Sequence, residues 1–162
     1  MSTEYIRIAE LAKRDKERKF YSIAHLLTEE ALIEAYVKLR KEAGAGVDGV
    51  TCAEYEGDLR GNIQRLQDRM KKKRYRAQPL RRIYIAKEDG RQRPISIPSL
   101  EDKIVQRAVV ELLNAIYEQD FLGCSYGFRP GRSAQEALDE VGRVMCQRPI
   151  STVLEADITG YF

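Results

Sequence analysis

The hydrophobic pattern changes period near residue 80, and this change constrains the fold more than any other feature of the sequence. From Ala53 to Arg74, apolar residues recur at helical spacing, at Tyr55, Leu59, Ile63, Leu66 and Met70. Residues 82–87 and 92–97 instead alternate with a period of two, and Asp89-Gly90 between them is typical of a hairpin turn. The pattern therefore predicts a long helix followed by a β-hairpin.

The phase of the two predicted strands brings two cations together. Lys87 continues the phase of the isoleucines in the first strand, and Arg93 shares the phase of those in the second. If the isoleucines share a face, both cations lie on that face near the hairpin tip, where they could hold a polyphosphate. Pro94 has no amide donor, which predicts that its strand is an edge strand.

Other helices are indicated on both sides of the hairpin. We predict a polar helix over 4–20, and a helix that starts after the N-cap Thr28 and ends at Gly44. Ser99 and Asp102 resemble a capping box before an apolar helix, which is expected to form the buried centre. A loop over 122–132 leads to a second capping box, Ser133 with Glu136, and a helix to about residue 145.

The last residues alternate in polarity. The period over 150–158 predicts a strand with Glu155 and Asp157 on its polar face. Together these patterns predict an α+β fold, mostly helical, with one hairpin and one terminal strand.

A basic run extends from Lys71 to Arg82 and contains no acidic residue. The net charge of the chain is only +3, too small by itself to indicate a nucleic-acid partner. Cations suit the negative end of a helix, so the run is either a solvated helix end or a contact for nucleic acid.

Composition excludes several classes of protein. Hydrophobic residues make up 43% of the 162 residues, too many for a disordered tail. The three cysteines are far apart and His25 is the only histidine, which argues against a zinc site and against histidine-dependent hydrolysis. No signal peptide or membrane span is recognised in the sequence, so we expect a cytoplasmic protein without membrane contact.

Three segments together resemble one family. They are residues 75–94 (YRAQPLRRIYIAKEDGRQRP), 97–106 (IPSLEDKIVQ) and 125–133 (SYGFRPGRS), and they are similar to the fingers blocks of bacterial group II intron reverse transcriptases, or maturases. The turn over 44–49 resembles an upstream block, and 156–162 (ADITGYF) resembles the opening of the first palm motif. The resemblance implies an N-terminal helical extension over 1–22, fingers over 23–149 and the start of the palm over 150–162.

The resemblance implies roles for individual residues. Lys87 and Arg93 match cations that hold the triphosphate of the incoming nucleotide, and Phe162 matches an aromatic residue beneath its sugar. Asp157 matches the first of three catalytic aspartates that bind Mg²⁺, with the backbone carbonyl of Ile158 as a further ligand. Contacts to RNA or template are implied for Lys71, Lys72, Lys73, Arg74, Arg76, Arg129 and Arg132. Tyr126 and Phe128 could stack on bases or pack internally, and packing is the favoured role for Phe128.

The resemblance also implies substrates and partners. They are intron RNA, an RNA template with a DNA primer, and deoxynucleoside triphosphates, with Mg²⁺ as cofactor and a homodimer as one arrangement of the full-length protein. The paired aspartates of the second palm motif do not occur before residue 162, so we expect the chain alone to lack polymerase activity. The alternatives are an RNA-binding remnant without catalysis, or part of a defence-related or CRISPR-associated reverse transcriptase.

Overall fold

The structure is a computed structural model that describes residues 3–86 and 90–158. Its elements, in chain order, are α1 (Thr3–Arg14), a short 3-10 helix (Ile23–Leu26), α2 (Glu29–Val37), α3 (Cys52–Glu56), α4 (Leu59–Lys71), β1 (Arg81–Ala86), β2 (Gln92–Ile97), α5 (Leu100–Tyr117) and α6 (Ala134–Gln147). This confirms the α+β class. No helix in the described ranges is both long and apolar enough to cross a membrane.

The chain divides into two compact units, an N-terminal unit (Met1–Asp120) and a C-terminal unit (Phe121–Phe162). The division suggested by the family resemblance, at 22/23 and 149/150, stays a prediction.

Local capping signals set the starts of several helices. The Thr28 side chain accepts a hydrogen bond from the Ala31 amide at 3.2 Å, which confirms the predicted start of α2. The end predicted at Gly44 is wrong, because α2 ends at Val37. There the Leu39 amide donates to the Tyr36 carbonyl at 3.1 Å and begins a series of tight turns.

The single helix predicted over 53–74 is two helices. Asp58 interrupts it, because its carboxylate accepts the Gly61 amide at 3.2 Å and caps α4. Short polar side chains compete in this way with the helical hydrogen bonds of their own backbone. The first of the two helices, α3, begins with a capping box of Thr51 and Glu54 that sequence reasoning missed.

Strands β1 and β2 form an antiparallel hairpin, as predicted. The register pairs Arg81 with Ile97, Ile83 with Ile95, and Ile85 with Arg93. The isoleucines therefore share one face, and Arg93 lies on that face across from Ile85. Among the described residues the sheet has two strands, so the strand of Pro94 is an edge strand.

Helix α5 contributes to two hydrophobic clusters of the N-terminal unit. Its first half packs Ile104 and Ala108 with residues of α2, α3 and α4, and its second half packs Leu112 and Ala115 against α1 and the 3-10 helix. The prediction of a central helix is confirmed, but α5 is not buried on every side. An outer stripe of Val110, Leu113 and Tyr117 is exposed.

The C-terminal unit contains a loop, helix α6 and an irregular segment. The capping box of Ser133 and Glu136 starts α6 as predicted. The strand predicted over 150–158 is wrong, because these residues adopt no regular secondary structure. No described segment pairs with them, and an alternating pattern without a neighbouring strand has no ladder of hydrogen bonds to hold it extended. Val153 and Leu154 are accordingly both exposed, although they belong to opposite faces of the predicted strand.

Candidate nucleic-acid interface

Three distant segments meet at the first turn of α5, and we name this contact the α5 junction (residues 44–46, 75–81 and 99–103). Its centre is the carboxylate of Asp102, which is 3% exposed. The hydroxyl of Tyr75 donates to Oδ1 of Asp102, while Oδ2 accepts the Gln78 amide at 2.9 Å and the Ser99 hydroxyl at 2.8 Å. The predicted capping box is therefore only half correct, because Asp102 binds the preceding segment rather than the Ser99 amide.

Tyr75 is anchored tightly by this contact. Burial raises the pKa of the Tyr75 hydroxyl, and its hydrogen bond to Asp102 raises it further, so it stays a neutral donor. The residues on either side, Lys71–Arg74 and Arg81–Arg82, are thereby fixed relative to α5.

The glycine turn over 44–49 closes the other side of the α5 junction. Nη1 of Arg81 donates to the Ala45 carbonyl at 3.3 Å, and Nζ of Lys103 donates to the Gly44 carbonyl at 2.5 Å. Gly46 lies so close to α5 that a Cβ atom there would stand 2.5 Å from Cα of Ser99. A side chain is excluded at this position, because the nearest atoms belong to backbone that cannot move aside.

The predicted RNA-binding cations Lys71, Lys72, Lys73, Arg74 and Arg76 are all exposed. Two of them form local hydrogen bonds near the end of α4. Lys71 donates to Oε1 of Gln67 at 2.9 Å, and Arg76 donates to the Tyr75 carbonyl at 2.9 Å. Within the described ranges none of the five forms an ion pair with a carboxylate. Their charge is therefore exposed to solvent.

An acidic cavity adjoins the α5 junction and shares Leu100 and Glu101 with it. It has a volume of about 540 Å³ and is lined by Asp48, Gly49, Val50, Glu54, Tyr55, Asn62, Leu100 and Glu101. Glu101 accepts a charged hydrogen bond from Arg69 at 2.5 Å and a weaker one from the Tyr55 hydroxyl at 3.4 Å. Three carboxylates make this cavity unsuited to phosphate, so the basic surface is the better candidate for nucleic acid.

The predicted nucleotide-binding residues are only partly described. Arg93 is exposed and shares the isoleucine face of the hairpin. Lys87 and Phe162 lie outside the described residues. The predicted proximity of the two cations at the hairpin tip therefore stays a prediction.

In the C-terminal unit, Arg129 is engaged within its own loop. Nη1 donates to the carbonyls of Leu122 at 2.9 Å and Ser125 at 2.8 Å, and the guanidinium lies 4.9 Å from the centre of the Phe121 ring. Arg132 lies over Tyr126 at 5.1 Å. Arg129 thus braces the loop, whereas the charge of Arg132 lies above an aromatic face.

Phe128 contradicts the packing role favoured from the sequence. Its side chain is fully exposed, at 111% of the reference area, and its φ of 56° lies in the left-handed region. A non-glycine residue held there costs on the order of 1–3 kcal/mol. No burial of the ring offsets that cost within the described residues.

The predicted metal ligand Asp157 is exposed, and its Oδ1 accepts the Ile158 amide at 2.8 Å. Among the residues that the structure describes, no three acidic, histidine or cysteine side chains are grouped closely enough to hold a metal ion. One carboxylate with one backbone carbonyl does not satisfy the octahedral shell that Mg²⁺ requires. The described residues therefore do not by themselves form a magnesium site.

Comparison with known proteins gives the chain its family. No protein-family model matches it. Protein YkfC of Escherichia coli K12 is 36% identical over 163 residues, which cover 96% of this chain and 43% of YkfC. The group II intron-encoded protein LtrA of Lactococcus lactis subsp. cremoris is 35% identical over 139 residues, covering 85% of this chain and 23% of LtrA.

A third relative comes from a eukaryote. The uncharacterized 91 kDa protein in the cob intron of Schizosaccharomyces pombe is 34% identical over 142 residues, covering 83% of this chain and 18% of that protein. The chain thus spans less than half the length of the curated relatives it matches. On the strength of these similarities, the chain belongs to the family of group II intron reverse transcriptases and maturases.

Proposed function

We propose that this chain is the RNA-gripping part of an intron-encoded RNA-directed DNA polymerase, and that its basic surface binds intron RNA or the RNA template. The observation that carries the proposal is the set of five exposed cations over 71–76 that form no ion pair within the described ranges. The α5 junction supports it, because Asp102 binds Tyr75 and the Gln78 amide and so holds the segment that carries the cations against the first turn of α5.

The activity of the longer protein is part of the same proposal. It copies RNA into DNA from a primer, uses deoxynucleoside triphosphates and Mg²⁺, assists the splicing and mobility of its intron, and can act as a homodimer. Lys87 and Arg93 hold the triphosphate, Phe162 lies beneath the sugar, and Asp157 with the Ile158 carbonyl supplies part of the metal shell. Magnesium would stabilise charge on the reacting phosphates, and the other ligands would come from residues outside the described ranges.

RNA binding is tested by a salt titration of the purified chain with single-stranded RNA. Each lost phosphate contact lowers the slope of log affinity against log salt by about 0.7. The double variant Lys72→Gln, Arg74→Gln is therefore expected to lose about 1.4 from that slope. The matched control is Lys13→Gln, Arg14→Gln, which removes two exposed cations from the end of another helix, α1. Equal slopes for the two double variants would show that Lys72 and Arg74 do not contact RNA and would contradict the proposal.

A binding role without catalysis is the second candidate for the chain by itself. It is favoured by Asp157, which has no group of metal-ligating side chains around it in the described residues. We expect no primer extension by the chain alone with Mg²⁺ and a primed RNA template. Appearance of an extended product that is lost in Asp157→Asn would show that the chain assembles its own metal site.

A further inference from the structure

Another cavity of the N-terminal unit lies between α1 and the segment over 18–26, and we name it the α1 pocket. Its volume is about 310 Å³. Its floor is apolar and consists of Ile8, Leu11, Phe20, Ile23 and Leu26. Ile8 and Leu26 are buried in the hydrophobic cluster that also contains Leu112 of α5. The floor is therefore continuous with the folded core.

The wall of the α1 pocket that faces α1 is held in place by hydrogen bonds. The Tyr5 hydroxyl donates to the Leu26 carbonyl at 3.3 Å and ties the 3-10 helix to α1. Nδ1 of His25 donates to the Ser22 carbonyl at 2.6 Å and closes the turn at the start of that helix. Because these bonds form within the folded chain, a ligand that enters loses little binding energy to ordering the pocket.

Positive charge predominates among the polar residues that line the α1 pocket. Arg7, Arg18 and Lys19 line it and are exposed, and Glu4 is the one carboxylate among its described lining residues. Within the described ranges none of these three cations forms an ion pair. The Arg18 guanidinium lies 5.8 Å from the centre of the Phe20 ring, so a cation borders the apolar floor directly.

Volume and charge together define a class of ligand. An apolar cavity of about 150 Å³ holds benzene, which has six non-hydrogen atoms, so a cavity of about 310 Å³ has room for roughly ten to twelve. A ligand that uses the whole pocket needs an apolar body for the floor and a negative group for the unpaired cations. An inorganic phosphate would leave the floor unused, and a neutral hydrocarbon would leave the cations unpaired.

We propose that the α1 pocket binds a small organic acid with one carboxylate and an apolar body of about eight carbons. The apolar body packs against Ile23 and Leu26, and the carboxylate is held by Arg18 and Lys19, the combination of apolar lining and few polar groups that is typical of small-molecule sites. This inference goes beyond the proposed function and does not depend on it, because none of the lining residues belongs to the cations over 71–76.

Octanoate, which has ten non-hydrogen atoms, is the probe. Amide shifts in two-dimensional NMR spectra should saturate with a dissociation constant on the order of 1 mM, since so small a ligand buries little surface. The shifts should be largest in α1 and over residues 18–26. Hexanoate should bind roughly tenfold more weakly, because two methylene groups no longer cover the floor. Octylamine keeps the apolar body and reverses the charge, so it should not compete with octanoate.

Two double variants separate the charge of the pocket from that of its surroundings. Arg18→Gln with Lys19→Gln should weaken octanoate binding roughly fivefold to tenfold, because the partners of the carboxylate are lost. Lys13→Gln with Arg14→Gln is the matched control, since it removes the same charge from α1 outside the pocket and should change the affinity by no more than about twofold.

A single variant tests the apolar floor. Leu11→Glu places a carboxylate there and should abolish octanoate binding. Among the described residues Leu11 is not one of those packed in either hydrophobic cluster, so the urea midpoint of this variant should stay close to that of the wild type.

Each outcome supports the proposal or overturns it. Saturable binding that needs both the carboxylate and the longer apolar body, and that weakens in the Arg18 and Lys19 double variant alone, supports it. No saturation by octanoate up to about 20 mM, equal affinity for octylamine, or equal weakening in the two double variants overturns it. If the Arg18 and Lys19 double variant loses salt dependence for RNA but binds octanoate like the wild type, these cations serve RNA and the proposal is wrong. Failure of the wild type to bind RNA would overturn the proposed function alone.

Discussion

The Asp102 carboxylate is the acceptor on which the α5 junction depends, and its removal offers a quantitative test of that role. In Asp102→Ala, the Tyr75 hydroxyl, the Ser99 hydroxyl and the Gln78 amide all lose their acceptor at a site that is 3% exposed. A hydrogen bond to a charged group contributes about 1.5–3 kcal/mol, and the three are not additive because they share one carboxylate. We therefore expect the free energy of unfolding to fall by about 3–5 kcal/mol, because three neutral donors, each costing about 1–3 kcal/mol when buried without an acceptor, are left unpaired together.

The assay is urea unfolding followed by circular dichroism, with two comparison variants. Asp102→Asn keeps one side-chain oxygen that can accept from two of the three donors. Its free energy of unfolding should therefore fall less than that of Asp102→Ala. Asp68→Ala removes an exposed carboxylate from α4 and should change the free energy by no more than about 0.5 kcal/mol. Hydrogen exchange should show faster exchange at Gln78 and in β1, beyond any change at Ile104. An Asp102→Ala variant as stable as Asp68→Ala would refute the view that this carboxylate holds the junction.

Other contacts give three further predictions. Gly46→Ala should lower the free energy of unfolding by about 1–3 kcal/mol, because its Cβ would meet the Ser99 backbone, whereas Gly123→Ala, in open space, should have little effect. Ser133→Ala should reduce stability by about 1 kcal/mol and lower the helical circular dichroism, since it removes the cap of α6. Burial raises the pKa of Tyr75 above the ordinary value of 10.0, so the folded state holds its proton more tightly than the unfolded state. The free energy of unfolding should therefore not depend on this group below pH 10, and should fall as the pH rises above 10. In Tyr75→Phe, urea unfolding measured over the same pH range should show a smaller fall.

Several features encoded by neighbouring residues were predicted from the sequence, although the local caps at Thr51 and Asp58 were missed. Examples are the caps at Thr28 and Ser133 and the alternation around Asp89-Gly90. Each depends on a few neighbouring residues, so a short segment of sequence is enough to predict it. The family resemblance was recognised for the same reason, since its blocks are short and contiguous.

Features that depend on distant partners were not predicted. The alternation over 150–158 specifies a strand only if another strand lies beside it, and the described residues supply none. The role of Asp102 as acceptor for Tyr75 and Gln78 joins positions more than twenty residues apart. The cap at Asp58, which divides the predicted helix in two, was a local signal that the stronger hydrophobic period obscured.

In the candidate interface, too, features of the sequence itself were predicted and features of the folded backbone were not. Sequence reasoning identified the cations over 71–76, because an uninterrupted basic run is visible without a structure. It assigned Arg129 to RNA or template phosphate, and that role stays a prediction; in the structure, Nη1 of Arg129 donates to two loop carbonyls. Packing was also the role favoured for Phe128, because the backbone angle that exposes its ring cannot be read from the amino-acid sequence.

The first hydrophobic cluster has a consequence for how the protein is made. It joins Leu32 and Tyr36 of α2 to Ile104 and Ala108 of α5, about seventy residues later in the chain, and residues of α3 and α4 complete it. During synthesis α2, α3 and α4 can pack on one another, but the part of their apolar surface that α5 covers stays exposed until α5 has emerged. A nascent chain that pauses between the hairpin and α5 should therefore be the form most readily captured by chaperones or cut by proteases.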